Sequence, residues 1–178
     1  MFKTTIVGLA AASAVMALAS PARAQEKPPV DVAAAAGYSR YTEGDGLNGL
    51  GIDLRGGYKL SMGLVADARL GYRRWTQDPI KFSDFPIHVG ARYDLAAGPV
   101  VVRPAAHIGL DILSVTAVTP LGTASDTETK LGFDLGVGVD YPVSETMWVG
   151  ASLDYNVIFD SDNSGTFLSF LLGVRTRI

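Results

Sequence analysis

The chain of 178 residues has no cysteine, only two histidines, and few charged side chains, which occupy 19% of its positions. The absence of cysteine excludes a disulfide scaffold and a cysteine-bound metal centre. The formal net charge of −3 and the pI of about 5.3 exclude the strongly basic surface that is typical of nucleic-acid-binding domains. Hydrophobic residues still make up 48% of the chain, which excludes an intrinsically disordered protein.

Long apolar runs are also missing, apart from one near the N-terminus. Lys3 is followed by an apolar run over residues 6–19 and by the small-x-small motif of Ala22, Arg23 and Ala24. This order is typical of a secretory signal peptide, and the run is shorter than the roughly 20 residues of a transmembrane helix. We therefore predict an exported protein with a cleaved signal over residues 1–24, a short polar lead-in over 25–29 and one domain over 30–178.

From residue 30 onward, apolar residues recur at every second position, which is the period of a β-strand. In the clearest run, residues 131–141, Leu, Phe, Val and Tyr alternate with Gly and Asp. Eight such segments are joined alternately by tight turns and by longer polar connections, which cover residues 42–49, 75–84, 115–129 and 160–166. The predicted fold is all-β, an eight-stranded antiparallel up-and-down transmembrane β-barrel with both termini at the tight-turn end.

The two faces of these strands differ in a way that indicates a membrane protein. The apolar parity of the last seven strands carries no charge, whereas the opposite parity mixes charged residues with glycines. Glycine weakens a water-facing strand, but in a narrow lumen it leaves room for long side chains. Aromatic residues near the strand ends match the interfacial girdles of transmembrane barrels; they are Tyr58, Tyr93 and Tyr141 near the tight turns, and Tyr72, Phe85 and Tyr155 near the longer connections.

Over residues 30–178, this pattern resembles the small eight-stranded outer-membrane barrels of the OmpA transmembrane domain and OmpX kind. The resemblance implies a location in the bacterial outer membrane, insertion by the outer-membrane assembly machinery, and a monomer in contact with outer-membrane lipid. The chain departs from these proteins at its end, where Ile178 stands in place of the usual aromatic residue.

The charges of the inward parity predict a lumen filled by ion pairs, because eight strands enclose little more than their own side chains. In the hairpin around residues 96–99, one register pairs Asp94 with Arg103 and keeps Arg92 away from Arg103, so we expect that register. Two registers remain open for the hairpin around residues 61–63. The residues assigned to the lumen are Asp53, Arg55, Asp67, Arg69, His88, Arg92, Asp94, Arg103, His107, Asp111, Asp134 and Arg175.

Residues that could carry chemistry are sparse. His88 and His107 both face inward. Two imidazoles fall short of the three or four protein ligands of a zinc site, so we predict no metal site. We also predict no cofactor and no catalytic residue. We expect a non-enzymatic barrel that contacts a surface partner through residues 75–84, with Trp75 and Phe82, and through residues 115–129. Two alternatives stay open: a lipid-modifying outer-membrane enzyme, which needs His and Ser facing lipid, and a soluble periplasmic carrier of the lipocalin kind.

Overall fold

The computed structural model describes residues 30–42, 46–77, 80–119, 122–160 and 164–178. The signal peptide and the lead-in predicted over residues 1–24 and 25–29 lie outside this range. No helix within it is long and apolar enough to cross a membrane. The described residues form nine antiparallel strands: β1 (Val30–Tyr41), β2 (Asn48–Ser61), β3 (Leu64–Gln77), β4 (Ile80–Tyr93), β5 (Leu95–Ala97), β6 (Val100–Thr119), β7 (Gly122–Pro142), β8 (Met147–Phe159) and β9 (Gly165–Arg177).

These strands close into a ring. The first strand, β1, pairs with both β2 and β9, and β4 pairs with β6 at the other end of the sheet order. Both β4 and β5 pair with β6 and are separated only by Asp94, so together they occupy one position in the ring. The ring therefore has eight positions, and the predicted up-and-down barrel is confirmed.

Apolar side chains cover the outside of the ring, and charged side chains fill the inside. On β7, Leu135 and Val137 are 50% and 44% exposed, whereas the neighbouring Asp134 is fully buried. Apolar surface is unfavourable in water, so this arrangement suits an outer face in contact with lipid. It is the inverse of a soluble carrier, which would hold its apolar side chains inside.

The β2–β3 hairpin has one of the two registers that the sequence left open. Arg55 pairs with Arg69 across the strands. Met62 and Gly63 form the turn with positive φ values of 34° and 91°, as in the two-residue turns of type I′. Two signals in the sequence favour different registers here. Pairing of opposite charges favours the register that is not observed, whereas Gly63 in the turn favours the observed one.

The register predicted for the hairpin before β6 is confirmed, because Arg92 pairs with Ala105. Asp94 interrupts the ladder at this point, and its backbone N–H donates a hydrogen bond to the carbonyl of Gly63 in the neighbouring hairpin (2.7 Å). Its carboxylate accepts a hydrogen bond from Arg103 Nε at 2.9 Å.

Two of the predicted long connections are largely strands, and their assignment as loops is wrong. Most of residues 75–84 belongs to the ends of β3 and β4, and residues 115–129 are covered by β6 and β7 apart from positions 120 and 121. Alternation of apolar and polar residues marks a strand only where one of its faces is buried. These segments extend beyond the apolar surface of the barrel, so they lack the alternation of apolar and polar residues that would predict a strand.

Candidate functional site

An aspartate between two histidines lies at the centre of the barrel interior. Asp134 accepts a hydrogen bond from Nδ1 of His88 (2.8 Å) and from Nδ1 of His107 (2.7 Å). The other nitrogen of each ring faces a second carboxylate, Asp111 at 3.1 Å from His88 Nε2 and Asp67 at 3.3 Å from His107 Nε2. Five buried side chains from β3, β4, β6 and β7 are thereby joined in one chain of hydrogen bonds.

Arginines extend this chain on one side. Arg69 bridges two carboxylates, with Nη2 at 2.6 Å from Asp53 and Nη1 at 3.1 Å from Asp134. Arg55, which pairs with Arg69 on the adjacent strand, contacts Asp154 at 2.7 Å and also Asp53 at 3.2 Å. The two cations are therefore each held by carboxylates, and these ion pairs offset the repulsion between the guanidinium groups.

Nearer to the tight turns, three arginines share two carboxylates. Asp94 accepts hydrogen bonds from Nε of Arg92 (3.2 Å) and Nε of Arg103 (2.9 Å). Asp140 contacts Arg103 as well and accepts a hydrogen bond from Nε of Arg175 at 3.1 Å. Every residue assigned to the lumen from the sequence lies inside the ring, although the side chain of Asp94 is about one-quarter exposed (26%).

Sequence reasoning missed two interior carboxylates. Asp31 contacts Arg92 and Arg175, and Asp84 lies 3.3 Å from Nη1 of Arg73. Asp31 belongs to the alanine-rich first strand, whose alternation is weak, and Asp84 belongs to a segment taken for a loop. Applying the inward parity to the first strand would have found Asp31, and extending the fourth strand by one residue would have found Asp84.

Aromatic residues close the interior at the end away from the tight turns; we call this group the apolar cap. Trp75, Ile158 and Phe167 are buried, and the centroid of the Trp75 ring lies 5.1 Å from that of Tyr41 and 5.3 Å from that of Phe167. The guanidinium of Arg73 lies 5.1 Å from the Phe167 ring centroid, so the charged interior meets the cap through a cation–π contact.

The cap corrects one prediction. Trp75 and Phe82 were expected on an exposed contact surface, but Trp75 is 1% exposed and Phe82 is partly buried against the cap. Position 75 continues the inward parity of β3 into the segment that was predicted to be a connection.

Little free space is left in the interior. A cavity of about 50 Å³ lies in the half nearer to the tight turns, between Arg55, Arg103, Asp140 and Asp154. A water molecule requires roughly 10–15 Å³ by the same kind of measure, so the cavity has room for a few waters and for no larger solute. Within the described ranges, no cluster of three or more His, Cys, Asp or Glu side chains could hold a metal ion.

The aromatic residues predicted for the two girdles lie on the outer face. Each is between 40% and 53% exposed: Tyr58, Tyr72, Phe85, Tyr93, Tyr141 and Tyr155. The first group, near the tight turns, lies close to strand ends, whereas Tyr72, Phe85 and Tyr155 lie further inside β3, β4 and β8, because these strands continue past the ends predicted from the sequence.

Part of the sheet continues beyond the barrel at the capped end. The ladder between β6 and β7 extends to Thr119 and Gly122, and β4 stays paired with β6 up to Ala117. On the other side of β7, the β8 ladder reaches only Leu131. We call the described residues of 76–83 and 114–129 the external sheet.

Known proteins share this architecture. The chain matches the family described as "Outer membrane protein beta-barrel domain" over residues 8–177. Neisserial surface protein A is similar in structure at 20% identity, with 84% of this chain and 97% of that chain covered and a TM-score of 0.68. Ail, the attachment invasion locus protein of Yersinia pestis, is 15% identical, with 86% and 100% covered and a TM-score of 0.63.

The outer membrane enzyme PagL is also similar, at 17% identity, with 83% of this chain and 99% of that chain covered and a TM-score of 0.51. At these identities, the solved structures bear on the fold alone. No protein of curated function matches the chain.

Proposed function

The chain belongs to the outer-membrane protein β-barrel family, and we propose that it is a non-enzymatic barrel that contacts partners outside the membrane through its external sheet. The observation that carries the proposal is the position of this sheet. It extends past the capped end of the barrel, and residues 122–129 of β7 are all exposed, on both faces of the strand. Binding residues concentrate on segments held out by a rigid scaffold, which is the arrangement seen here.

The positions of the two histidines support the absence of enzymatic activity. A hydrolase that acts on membrane lipid needs an activated nucleophile and a base at the surface that lipid reaches. His88 and His107 are 2% and 1% exposed, and both nitrogens of each ring face carboxylates inside the barrel. PagL has the same fold and is an enzyme, but fold alone does not determine activity.

The filled interior supports a role outside the lumen. Ion pairs occupy the core of the barrel, the apolar cap closes one end, and the cavity between Arg55, Arg103, Asp140 and Asp154 measures about 50 Å³. Ail is named for attachment and invasion, so a barrel of this fold is compatible with a role in contact. For this chain, the contact surface that we propose is the external sheet.

Export and membrane insertion form part of the same proposal. Cleavage after Ala24 and insertion by the assembly machinery would deliver a monomer whose aromatic girdles lie at the two headgroup regions. The external sheet then faces the outside of the cell, because the termini and the tight turns lie at the periplasmic end.

Shortening the external sheet tests the proposal. Val115 and Asp126 face each other across the hairpin, so replacing residues 116–125 with Asn-Gly supplies a type I′ turn and keeps the register. We expect the shortened barrel to keep its heat-dependent gel mobility, while cells that display it lose adhesion to host-cell monolayers and immobilised matrix proteins. Unchanged adhesion would contradict the contact role, and hydrolysis of labelled lipopolysaccharide by the purified protein would contradict the non-enzymatic role.

A further inference from the structure

His107, on β6, lies between two carboxylates that each also bind an arginine. Its Nδ1 is 2.7 Å from Asp134 Oδ1, and its Nε2 is 3.3 Å from Asp67 Oδ2. Arg69 contacts Asp134 at 3.1 Å, and Arg92 contacts Asp67 at 2.8 Å. A carboxyl group that accepts hydrogen bonds from a guanidinium is held in its ionised form. Both neighbours of the His107 ring are therefore anions.

His88, on β4, has the same arrangement. Its Nδ1 is 2.8 Å from Asp134 Oδ2, and its Nε2 is 3.1 Å from Asp111 Oδ2. Asp134 thus contacts both rings, one through each of its oxygens. Both rings are buried, so carboxylates rather than solvent are the partners of all four ring nitrogens.

Glycines on the adjacent strands fix the orientation of the two rings. A Cβ at Gly109 would lie 2.7 Å from Cδ2 of His88, and a Cβ at Gly90 would lie 2.8 Å from Cδ2 of His107. Each ring therefore packs directly against the backbone of the strand that pairs with its own. Rotation of either ring about its Cβ–Cγ bond would carry the nitrogens away from their carboxylates.

A neutral imidazole cannot donate to two carboxylates. It has one N–H donor and one nitrogen with a lone pair, whereas the imidazolium ion has two N–H donors. If the rings were neutral, one nitrogen of each would face a carboxylate oxygen as a second acceptor. Two buried acceptors in contact lose their hydration and gain no hydrogen bond, which is unfavourable. The geometry therefore favours a proton on all four nitrogens.

The charged groups around the rings come from every strand packed against them. They are Asp67 and Arg69 on β3, Asp84 and Arg92 on β4, Asp111 on β6 and Asp134 on β7. Arg73 on β3 lies 3.3 Å from Asp84, and Lys130 on β7 contacts Glu128 and Asp160. Carboxylates therefore approach the two rings from each of these strands.

The charge of the whole interior also favours protonated rings. Among the described residues, the interior ion pairs involve nine aspartates and six arginines. Negative charge thus exceeds positive charge by three if both histidines are neutral, and by one if both are protonated. An uncompensated buried charge is costly, so the protonated state is the more stable one.

We infer that His88 and His107 are both imidazolium ions in the folded barrel, and that loss of their protons at alkaline pH loosens the filled interior. Each proton that leaves places a lone pair against a carboxylate and adds to the excess of negative charge. In the unfolded chain, a histidine is largely neutral from about pH 7.5 upward. Folding above this pH therefore takes up one proton for each ring, and the stability of the barrel falls as the pH rises.

Urea titrations of the barrel in lipid vesicles, from about pH 7.5 to about pH 9, measure this proton uptake. Uptake of two protons lowers the folding equilibrium constant by up to roughly a hundredfold for each pH unit. Asp67→Asn places an amide beside His107, and an amide can donate to a neutral ring, so we expect the change to fall to roughly tenfold for each pH unit. Gel mobility confirms that the variant is folded.

Asp94→Asn is the matched control, because Asp94 contacts Arg92 and Arg103 and its printed partners include neither histidine. It should keep the hundredfold change. A change of tenfold or less in the unmodified barrel would overturn the inference, and so would an equal reduction in the two variants.

Nitrogen-15 NMR of the unmodified barrel tests the protonation directly and does not depend on the folding of a variant. The chain has two histidines, so histidine labelling of a barrel without a purification tag gives four ring nitrogens. We expect a proton on all four at about pH 8, where a histidine of an unfolded chain is neutral. A ring nitrogen without a proton at this pH, in either histidine, would overturn the inference.

Discussion

Two glycines on the inner face of β7 should differ sharply in their tolerance of a methyl group. A Cβ at Gly132 would overlap the carboxylate of Asp111 and would approach Nε2 of His88, which is bonded to that carboxylate. At Gly138, the nearest atom to an added Cβ would be the carbonyl oxygen of Ala151 at 3.6 Å, an ordinary contact. Gly132→Ala should therefore break the link between Asp111 and His88, whereas Gly138→Ala should fit.

The size of the difference follows from three contributions. Alanine is favoured over glycine inside a strand by about 0.5–1 kcal/mol, so Gly138→Ala should leave the free energy of unfolding unchanged or raise it by that amount. At Gly132 this gain is opposed by the loss of a hydrogen bond to a charged group, about 1.5–3 kcal/mol. Overpacking adds a further cost of about 1–3 kcal/mol. Gly132→Ala should therefore lower the free energy of unfolding by about 2–5 kcal/mol.

Urea titration of the protein in lipid vesicles measures both variants. Unfolding can be followed by the fluorescence of the two tryptophans, Trp75 in the apolar cap and Trp148 on β8, and by the gel mobility of the folded barrel. Equal free energies of unfolding for the two variants would show that the space beside Gly132 is not filled as described. A larger loss at Gly138 would refute the interior packing altogether.

Four further predictions concern the outer face, the apolar cap, the filled interior and the orientation. Leu135→Arg on the outer face should lower the free energy of unfolding in lipid by about 2–4 kcal/mol. Ser125→Arg, on the same strand but in the external sheet, should change it by no more than about 0.5 kcal/mol. Equal losses for the two variants in urea titrations would contradict lipid contact at residue 135. Trp75→Ala should lower the free energy of unfolding by about 3–5 kcal/mol in the same assay, because it removes a buried ring. The unmodified protein should pass no large steady current in planar bilayers, and such currents would contradict the filled interior. A tag inserted after Gly122 should bind antibody on intact cells, and binding only after permeabilisation would reverse the orientation.

The sequence predicts the interior charges well because a barrel strand between lipid and a charged lumen must alternate without exception. Prediction fails where that contrast ends. Trp75 stands between the polar Arg74 and Thr76, Asp84 follows the polar Ser83, and Asp31 shares its face with small alanines that give no amphipathic signal. The partners of each arginine could not be predicted either, since Arg69 opposes Arg55 on the ladder but bonds to Asp53 and Asp134 through its long side chain.

The interior and the external sheet should respond to substitution in opposite ways, and that difference favours a scaffold that carries a contact surface. Inside the barrel, Asp134 contacts His88, His107 and Arg69 at the same time. Removing one member of such a buried group leaves another charge uncompensated, typically at a cost of about 3–5 kcal/mol. In the external sheet, exposed positions such as Thr123 can change within about 0.5 kcal/mol, because their side chains are not packed in the interior. Under the proposed contact role, the exposed residues of the external sheet can therefore change while the barrel beneath them stays folded.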